Sequence, residues 1–205
     1  MANRPYPVTV RGELTAPPGG GWWLLKWLLV IPHVFILAFL WFASCCVVII
    51  AFFAILFTGK YPRNLFDFNT GVMRWSWRVG FYSYQALGTD KYPPFSLESD
   101  DSYPADLHIE YPEQLSRGLV LVKWWLLAIP HYILIALFQG GGGEHSRVGL
   151  APILAFFGVI VVLFRGTYPA DIFKLVVGVN RWSYRVLAYT SLMTDEYPPF
   201  RFWDE

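Results

Sequence analysis

The chain has 205 residues, of which 55% are hydrophobic and only 15% are charged. A soluble domain carries about 25% charged residues, so this composition excludes a disordered chain and disfavours a soluble enzyme. The formal net charge of +1 also excludes a protein whose overall field recruits nucleic acid. The composition therefore indicates a membrane protein.

The first apolar region, Trp22–Phe57, has Lys26 as its one formal charge. As a single helix it would measure about 54 Å, well beyond a hydrocarbon thickness of about 30 Å. We therefore predict a hairpin of two spans, about 22–41 and 45–57, with its turn near Trp41–Cys46.

The second apolar region also predicts two spans, about 119–138 and 148–164, separated by the polar, glycine-rich loop 139–147. Pro152 lies in the first turn of the later span, where a proline is tolerated. The chain would then contain four spans in two hairpins. The alternative is a pair of re-entrant or interfacial hairpins that never cross the bilayer.

Basic residues are concentrated on one side of this predicted topology. Fifteen of the sixteen lie in the N-terminal arm, the central segment, the C-terminal segment or the span entries, where Lys26 and Lys123 would snorkel. Arg147 is the one basic residue at a hairpin tip. The positive-inside rule therefore predicts a multi-pass protein of the cell (inner) membrane with both termini cytoplasmic.

Four short motifs occur twice in the chain, in the same order. The matched pairs are Trp27–His33 with Trp125–His131, Thr58–Pro62 with Arg165–Pro169, Gly71–Arg78 with Gly178–Arg185, and Thr89–Phe95 with Thr194–Phe200. We predict two units, 1–97 and 98–205. An even number of spans in each unit would give both units the same orientation in the membrane.

The duplicated Ile-Pro-His, Gly-x-Tyr-Pro, Arg-Trp-Ser-[Trp/Tyr]-Arg and Tyr-Pro-Pro-Phe blocks resemble those of actinobacterial integral membrane proteins of domain of unknown function 4389. The resemblance extends from Tyr6 to Phe200. It implies a membrane protein in an actinobacterial envelope. Because the family carries no established activity, the resemblance implies no functional residues.

A Tyr-Pro corner follows each hairpin and precedes an amphipathic helix, about 63–87 in the first unit and 170–190 in the second. Wide aromatic faces beside an arginine-bearing stripe suit helices in the inner interface, although packing against the hairpins would give the same pattern. Alternating apolar residues in the N-terminal arm and the acidic linker 98–113 are compatible with a short two-stranded ribbon. The predicted fold is therefore an all-α integral membrane protein with four transmembrane helices in two tandem hairpins, two amphipathic interfacial helices and this ribbon.

Each amphipathic helix carries two arginines at i and i+4, and these are candidate lipid- or partner-binding residues: Arg74, Arg78, Arg181 and Arg185. Like charges at this spacing repel by a few tenths of a kcal/mol unless an anion or carboxylate lies between them. Anionic headgroups or acidic residues of a partner would supply that charge. The alternative is an internal salt bridge to Asp67, Asp171 or the acidic linker.

His33 and His131 follow a proline inside an apolar segment, at equivalent positions of the two units. Polar residues at membrane depth are expensive, which makes both histidines intramembrane polar candidates. Three roles stay open: a structural role at a carbonyl that the proline frees, a lipid or proton site, and axial ligation of a shared haem. No further ligands accompany them, so no metal or cofactor is predicted.

No serine-hydrolase, zinc-protease or dinucleotide-binding motif is present in the sequence, and we predict no catalytic residues. The leading functional hypothesis is a non-catalytic accessory or scaffolding subunit that binds membrane lipid, a protein partner or a second copy of the chain. The alternatives are a lipid or small-molecule transport component with a site between the hairpins, and a haem-binding membrane cytochrome.

Overall fold

The computed structural model describes residues 6–14, 23–83, 85–139, 153–157, 160–161 and 169–202. Most of these residues are helical, and they include one two-stranded sheet. In chain order the elements are β1 (Val8–Gly12), α1 (Trp23–Thr58), α2 (Arg63–Tyr82), β2 (Ala105–Ile109), α3 (Leu119–Val122), a π-helical turn (Lys123–Leu127), α4 (Ile129–Gln139) and α5 (Ala170–Thr190).

The first apolar region is one continuous helix, α1, of 36 residues. The turn predicted near Trp41–Cys46 is therefore wrong, and so is the division into spans 22–41 and 45–57. The segment contains no glycine, and Pro32 is the one proline inside it, so nothing in the local sequence ends the helix. The prediction rested on the length of an upright helix compared with the hydrocarbon thickness, and that comparison does not by itself break a helix.

The second apolar region begins with a helical segment, 119–139, in which a π-helical turn separates α3 from α4. Residues 153–157 and 160–161 are also helical. The first residue of the predicted loop 139–147, Gln139, ends α4, and the rest of that loop and most of the predicted span 148–164 lie outside the described residues. Within the described part of the chain, two helices are long and apolar enough to cross a membrane, Leu25–Thr58 and Leu119–Ala136.

The short ribbon predicted from the arm and the linker is present. β1 and β2 pair antiparallel, with Val10 opposite Leu107 and Thr9 opposite His108. The valine and leucine are buried, whereas the threonine and histidine are exposed. The alternation of apolar and polar residues thus gives the ribbon one face toward the core and one toward the surroundings.

The elements are stacked in three layers. α2 packs between α1 and β2, and α5 packs between β1 and segment 119–139. The two amphipathic helices also contact each other, since the Trp77 ring lies 5.7 Å from the Tyr184 ring. The ribbon therefore lies on one side, α2 and α5 lie in the middle, and α1 with segment 119–139 forms the opposite side, which we call the basal layer.

Both amphipathic helices begin at the predicted Tyr-Pro corners, α2 directly after Pro62 and α5 directly after Pro169. α5 ends at Thr190, as predicted, but α2 ends at Tyr82 rather than near residue 87. The chain turns just beyond α2, where Leu87 adopts a positive φ of 51°. That turn carries the Thr-Asp-Lys-Tyr-Pro-Pro-Phe motif back toward α1.

Candidate functional site

The polar side chains Lys26, His33 and Ser44 of α1 lie on one stripe that faces the interior, and none is more than 2% exposed. Two of them bind α2: Ser44 Oγ donates to Asn69 Oδ1 at 2.8 Å, and the Trp75 Nε1–H donates to His33 Nδ1 at 3.0 Å. Because these contacts recur over several turns, α2 lies alongside α1 rather than touching it at one point.

Two buried lysines form equivalent sites in the two units. Lys26 Nζ lies 2.7 Å from Asp90 Oδ1, donates to the Thr89 carbonyl and lies over the Tyr82 ring. In the second unit the same contacts join Lys123 to Asp195 at 2.7 Å, to the Thr194 carbonyl and to the Tyr189 ring. The prediction that these lysines snorkel to the headgroups is therefore wrong. Each ammonium instead turns inward, because the carboxylate and carbonyl of its own unit satisfy it.

The two histidines lie in aromatic enclosures built by their own units. The His33 ring stacks on Phe95 with ring centroids 3.9 Å apart and lies 5.0 Å from the Tyr92 ring. The equivalent distances from His131 are 4.3 Å to Phe200 and 4.9 Å to Tyr197. The duplicated Ile-Pro-His and Tyr-Pro-Pro-Phe motifs thus contact each other in both units.

These enclosures favour a structural role for both histidines over the two ligand-binding alternatives. Each imidazole is 0% exposed and stacked against a phenylalanine ring, a geometry that does not fit axial ligation of a haem shared between His33 and His131. The hydrogen-bond partner of His33 is the Trp75 indole rather than a carbonyl freed by Pro32. Across the described ranges, no group of three or more His, Cys, Asp or Glu could hold a metal ion.

Arg74 and Arg181 bind the outer edges of the ribbon. Arg74 Nε donates to the Leu107 carbonyl at 2.8 Å, and Arg181 Nε donates to the Val10 carbonyl at 3.1 Å. Since Val10 and Leu107 are paired in the ribbon, the two arginines bind at corresponding points of the two strands. Arg74 Nη1 also donates to the Leu97 carbonyl, and Arg181 Nη1 donates to the Phe202 carbonyl.

The remaining candidate arginines, Arg78 and Arg185, are also buried, at 0% and 1% exposure. Arg78 Nη2 lies 3.0 Å from Asp106 Oδ1, and Arg74 Nε lies 3.2 Å from the same oxygen. Arg185 lies against the Tyr6 ring, 5.4 Å from its centre. Of the two alternatives for the first pair, the structure contains the internal salt bridge to the acidic linker. None of the four arginines lies at an exposed, lipid-facing position.

Sequence reasoning missed the carboxylates Asp90 and Asp195, whereas Asp106 belongs to the acidic linker that was named as one salt-bridge alternative. A signal for the other two was present, because the two Asp residues recur at equivalent positions of the duplication, and the lysines that they bind precede His33 and His131 by seven and eight residues. The prediction considered those lysines as membrane-edge residues and did not look for a counter-charge.

The two sides of the molecule present different surfaces. On the ribbon side, a polar cleft of about 540 Å³ lies between α2 and β2, and its lining includes Arg63, Asp67, Arg74, Glu98, His108 and Glu110. On the basal side, an apolar groove of about 320 Å³ separates Trp124 from Val48, Ile49, Phe52 and Phe53 of α1. Neither surface contains His33 or His131.

The face of α1 that is turned away from α2 carries large, exposed apolar side chains. Five phenylalanines on it are each more than half exposed: Phe35, Phe39, Phe42, Phe53 and Phe57. Segment 119–139 continues this surface with exposed Leu121, Trp124, Trp125, Leu126, Ile129 and Ile133. The basal layer is therefore an extended apolar surface with no covering element among the described residues.

The Asp106 carboxylate should contribute strongly to the stability of the fold. Asp106→Asn removes the counter-charge of buried Arg78, which should cost about 3–5 kcal/mol in unfolding free energy. Asp67→Asn is a matched control, because Asp67 forms an exposed pair with Arg63 and should lose less than about 1 kcal/mol. Thermal unfolding of both variants in one detergent, followed by circular dichroism, measures the difference. Equal destabilisation would contradict the assignment.

Comparison with known proteins adds a family but no activity. No curated protein and no solved structure matches the chain. A family model described as "Domain of unknown function (DUF4389)" matches residues 22–96 and 147–201. Each matched region holds one copy of the Tyr-Pro, Arg-Trp-Ser and Tyr-Pro-Pro-Phe blocks, as a duplicated unit would. The two regions cover more than half of the 205 residues, and the chain belongs to the DUF4389 family.

Proposed function

We propose that the protein is a non-catalytic scaffold bound to the cell membrane, with the basal layer in the bilayer and the ribbon side free to bind a protein partner. One observation carries the proposal: α1 is as apolar as a membrane helix, yet only one narrow stripe of it is buried and the rest is exposed. The core helix of a soluble protein would be buried around most of its circumference.

The size of the exposed apolar surface supports a bilayer rather than water as its surroundings. Soluble monomers rarely expose contiguous apolar patches larger than a few hundred Å². Here exposed aromatic and aliphatic side chains follow α1 from Trp27 to Phe57 and continue onto segment 119–139. Because α1 is continuous, the first apolar region contains one helix where two spans were predicted.

The ribbon side supports partner binding by its charge and its shape. The exposed carboxylates Glu98 and Glu110 line the polar cleft, whereas the other acidic residue on its lining, Asp67, is paired with Arg63. The cleft therefore suits a partner segment that carries lysine or arginine. Exposed Lys60, Lys91 and Arg117 lie outside the apolar segments, as the positive-inside rule expects of a cytoplasmic face.

The transport and haem alternatives have no comparable support. Both depend on a shared site between the two units near His33 and His131. Each histidine is instead enclosed by the tyrosine and phenylalanine of its own Tyr-Pro-Pro-Phe motif.

Membrane binding is tested by placing charge on the exposed face of α1. Phe35→Glu combined with Phe53→Glu should move most of the protein from carbonate-washed membranes to the soluble fraction, because both side chains are more than half exposed and would carry charge into hydrocarbon. The matched control, Thr9→Glu with Gln114→Glu, adds two charges at exposed positions outside the apolar segments and should leave the protein in the membrane. Equal retention of both variants would overturn the proposal.

Partner binding is tested by reversing charge in the polar cleft. A protein that co-purifies with the wild type from native membranes in mild detergent should be lost with Glu98→Lys combined with Glu110→Lys. It should be kept with Asp101→Lys, which changes an exposed carboxylate that is not on the cleft lining. Mass spectrometry of the three preparations provides the comparison. The same protein in all three, or in none, would contradict the role of the cleft.

A further inference from the structure

We infer that the protein is monotopic: α1 and segment 119–139 lie parallel to the bilayer plane within one leaflet and do not cross it. The inference rests on the proposed bilayer binding and specifies its geometry. Its interaction surface is the basal layer, and its partner is the acyl-chain and headgroup region of a lipid leaflet.

Polar contacts join α1 to the rest of the protein near its start, its middle and its end. Near the start of the helix, Lys26 is bound by Asp90, whose side chain is 41% exposed. Near the middle, Trp41 Nε1 donates to Ser76 Oγ and Ser44 binds Asn69 of α2. Just beyond the end, the Gly59 carbonyl accepts from the Leu115 backbone N–H. No long stretch of α1 is therefore free of the rest of the protein.

An upright α1 would carry charged residues of α2 into the membrane. Arg63 and Asp67 have side-chain exposures of 64% and 59%, and Asp67 lies two residues before Asn69, the partner of Ser44. If α1 stood upright with Ser44 near the bilayer centre, these groups would lie within the hydrocarbon. A charged residue at that depth costs about 2.5–3.5 kcal/mol on insertion scales. An in-plane α1 keeps α2 and the ribbon above the acyl chains.

The length of α1 also favours an in-plane orientation. A helix of 36 residues measures about 54 Å, which exceeds a hydrocarbon thickness of about 30 Å when upright. In the plane of the membrane no such limit applies. The continuity of α1 and the absence of a break near Cys46 then need no further explanation.

Aromatic residues lie at the sides of the basal layer. Tyr92 and Tyr197 are 40% and 44% exposed, and their hydroxyls donate to carbonyls of the basal layer, those of Leu29 and Leu127. Tyrosine and tryptophan favour the headgroup depth of a bilayer. Both units thus hold an interfacial aromatic beside the basal helix, as expected if the two helices lie at a common depth.

The test measures the depth of three positions on the outer face of α1. Phe35, Cys46 and Phe57 are all exposed and follow each other at 11-residue steps, so they lie on nearly the same side of the helix. Single-cysteine chains with the label site at Phe35→Cys, native Cys46 or Phe57→Cys carry an environment-sensitive fluorophore, the other native cysteines being changed to serine. The full-length protein is reconstituted in vesicles whose lipids bear a nitroxide either near the headgroup or near the acyl-chain end.

The monotopic arrangement predicts the same ratio of shallow to deep quenching at all three positions. An upright α1 would separate Phe35 from Phe57 by about 33 Å along the membrane normal. Shallow quenching at the two ends and deep quenching at Cys46 would then overturn the inference while leaving bilayer binding intact. No quenching at any of the three positions would overturn the proposed function itself.

A control label at His108→Cys, exposed on the ribbon, reports whether the reconstituted protein keeps its layered fold. We expect no quenching there from either lipid. Quenching at residue 108 equal to that at residue 46 would place the ribbon in the bilayer and contradict the inference as well.

Discussion

The long apolar helix α1 has to neutralise its one ammonium and satisfy its few polar groups on a single stripe, and the rest of the fold is arranged around that stripe. Lys26 requires a counter-charge at the start of the helix, and Asp90 supplies it. His33 and Ser44 require hydrogen-bond partners further along, and α2 supplies them. Because all three contacts lie on one side, the opposite side of α1 is left apolar throughout, and this asymmetry defines the basal layer.

The duplicated motifs have a physical explanation in these contacts. In each unit the Thr-Asp-x-Tyr-Pro-Pro-Phe motif supplies the carboxylate for the buried lysine and the rings that enclose the histidine. The first arginine of each Arg-Trp-Ser motif binds the edge of one ribbon strand. The residues shared by the two units are therefore those that hold the basal helix, the amphipathic helix and the ribbon together. This pattern fits the proposed scaffold, in which the repeated residues hold the layers together.

Much of the fold could be predicted from local signals. The start of each amphipathic helix follows from its Tyr-Pro corner, and the ribbon follows from alternation around Val10 and Leu107. The course of α1 could not be predicted in this way, because its buried polar residues, Lys26, His33 and Ser44, are too widely spaced to give the segment a clear periodicity. The salt-bridge partners of Lys26 and Arg78 could not be predicted from local signals either, because these pairs join residues that are distant in sequence.

A basal layer that lies in the plane of the membrane fixes the orientation of its helices, and this orientation can be measured in aligned bilayers. α2 packs alongside α1 over several turns, so the tilt of these two helices dominates the orientation of the first unit. Polarised infrared spectroscopy of the reconstituted protein measures that tilt through the dichroism of the amide I band. An in-plane arrangement requires helix axes close to the bilayer plane. Axes close to the bilayer normal would contradict it.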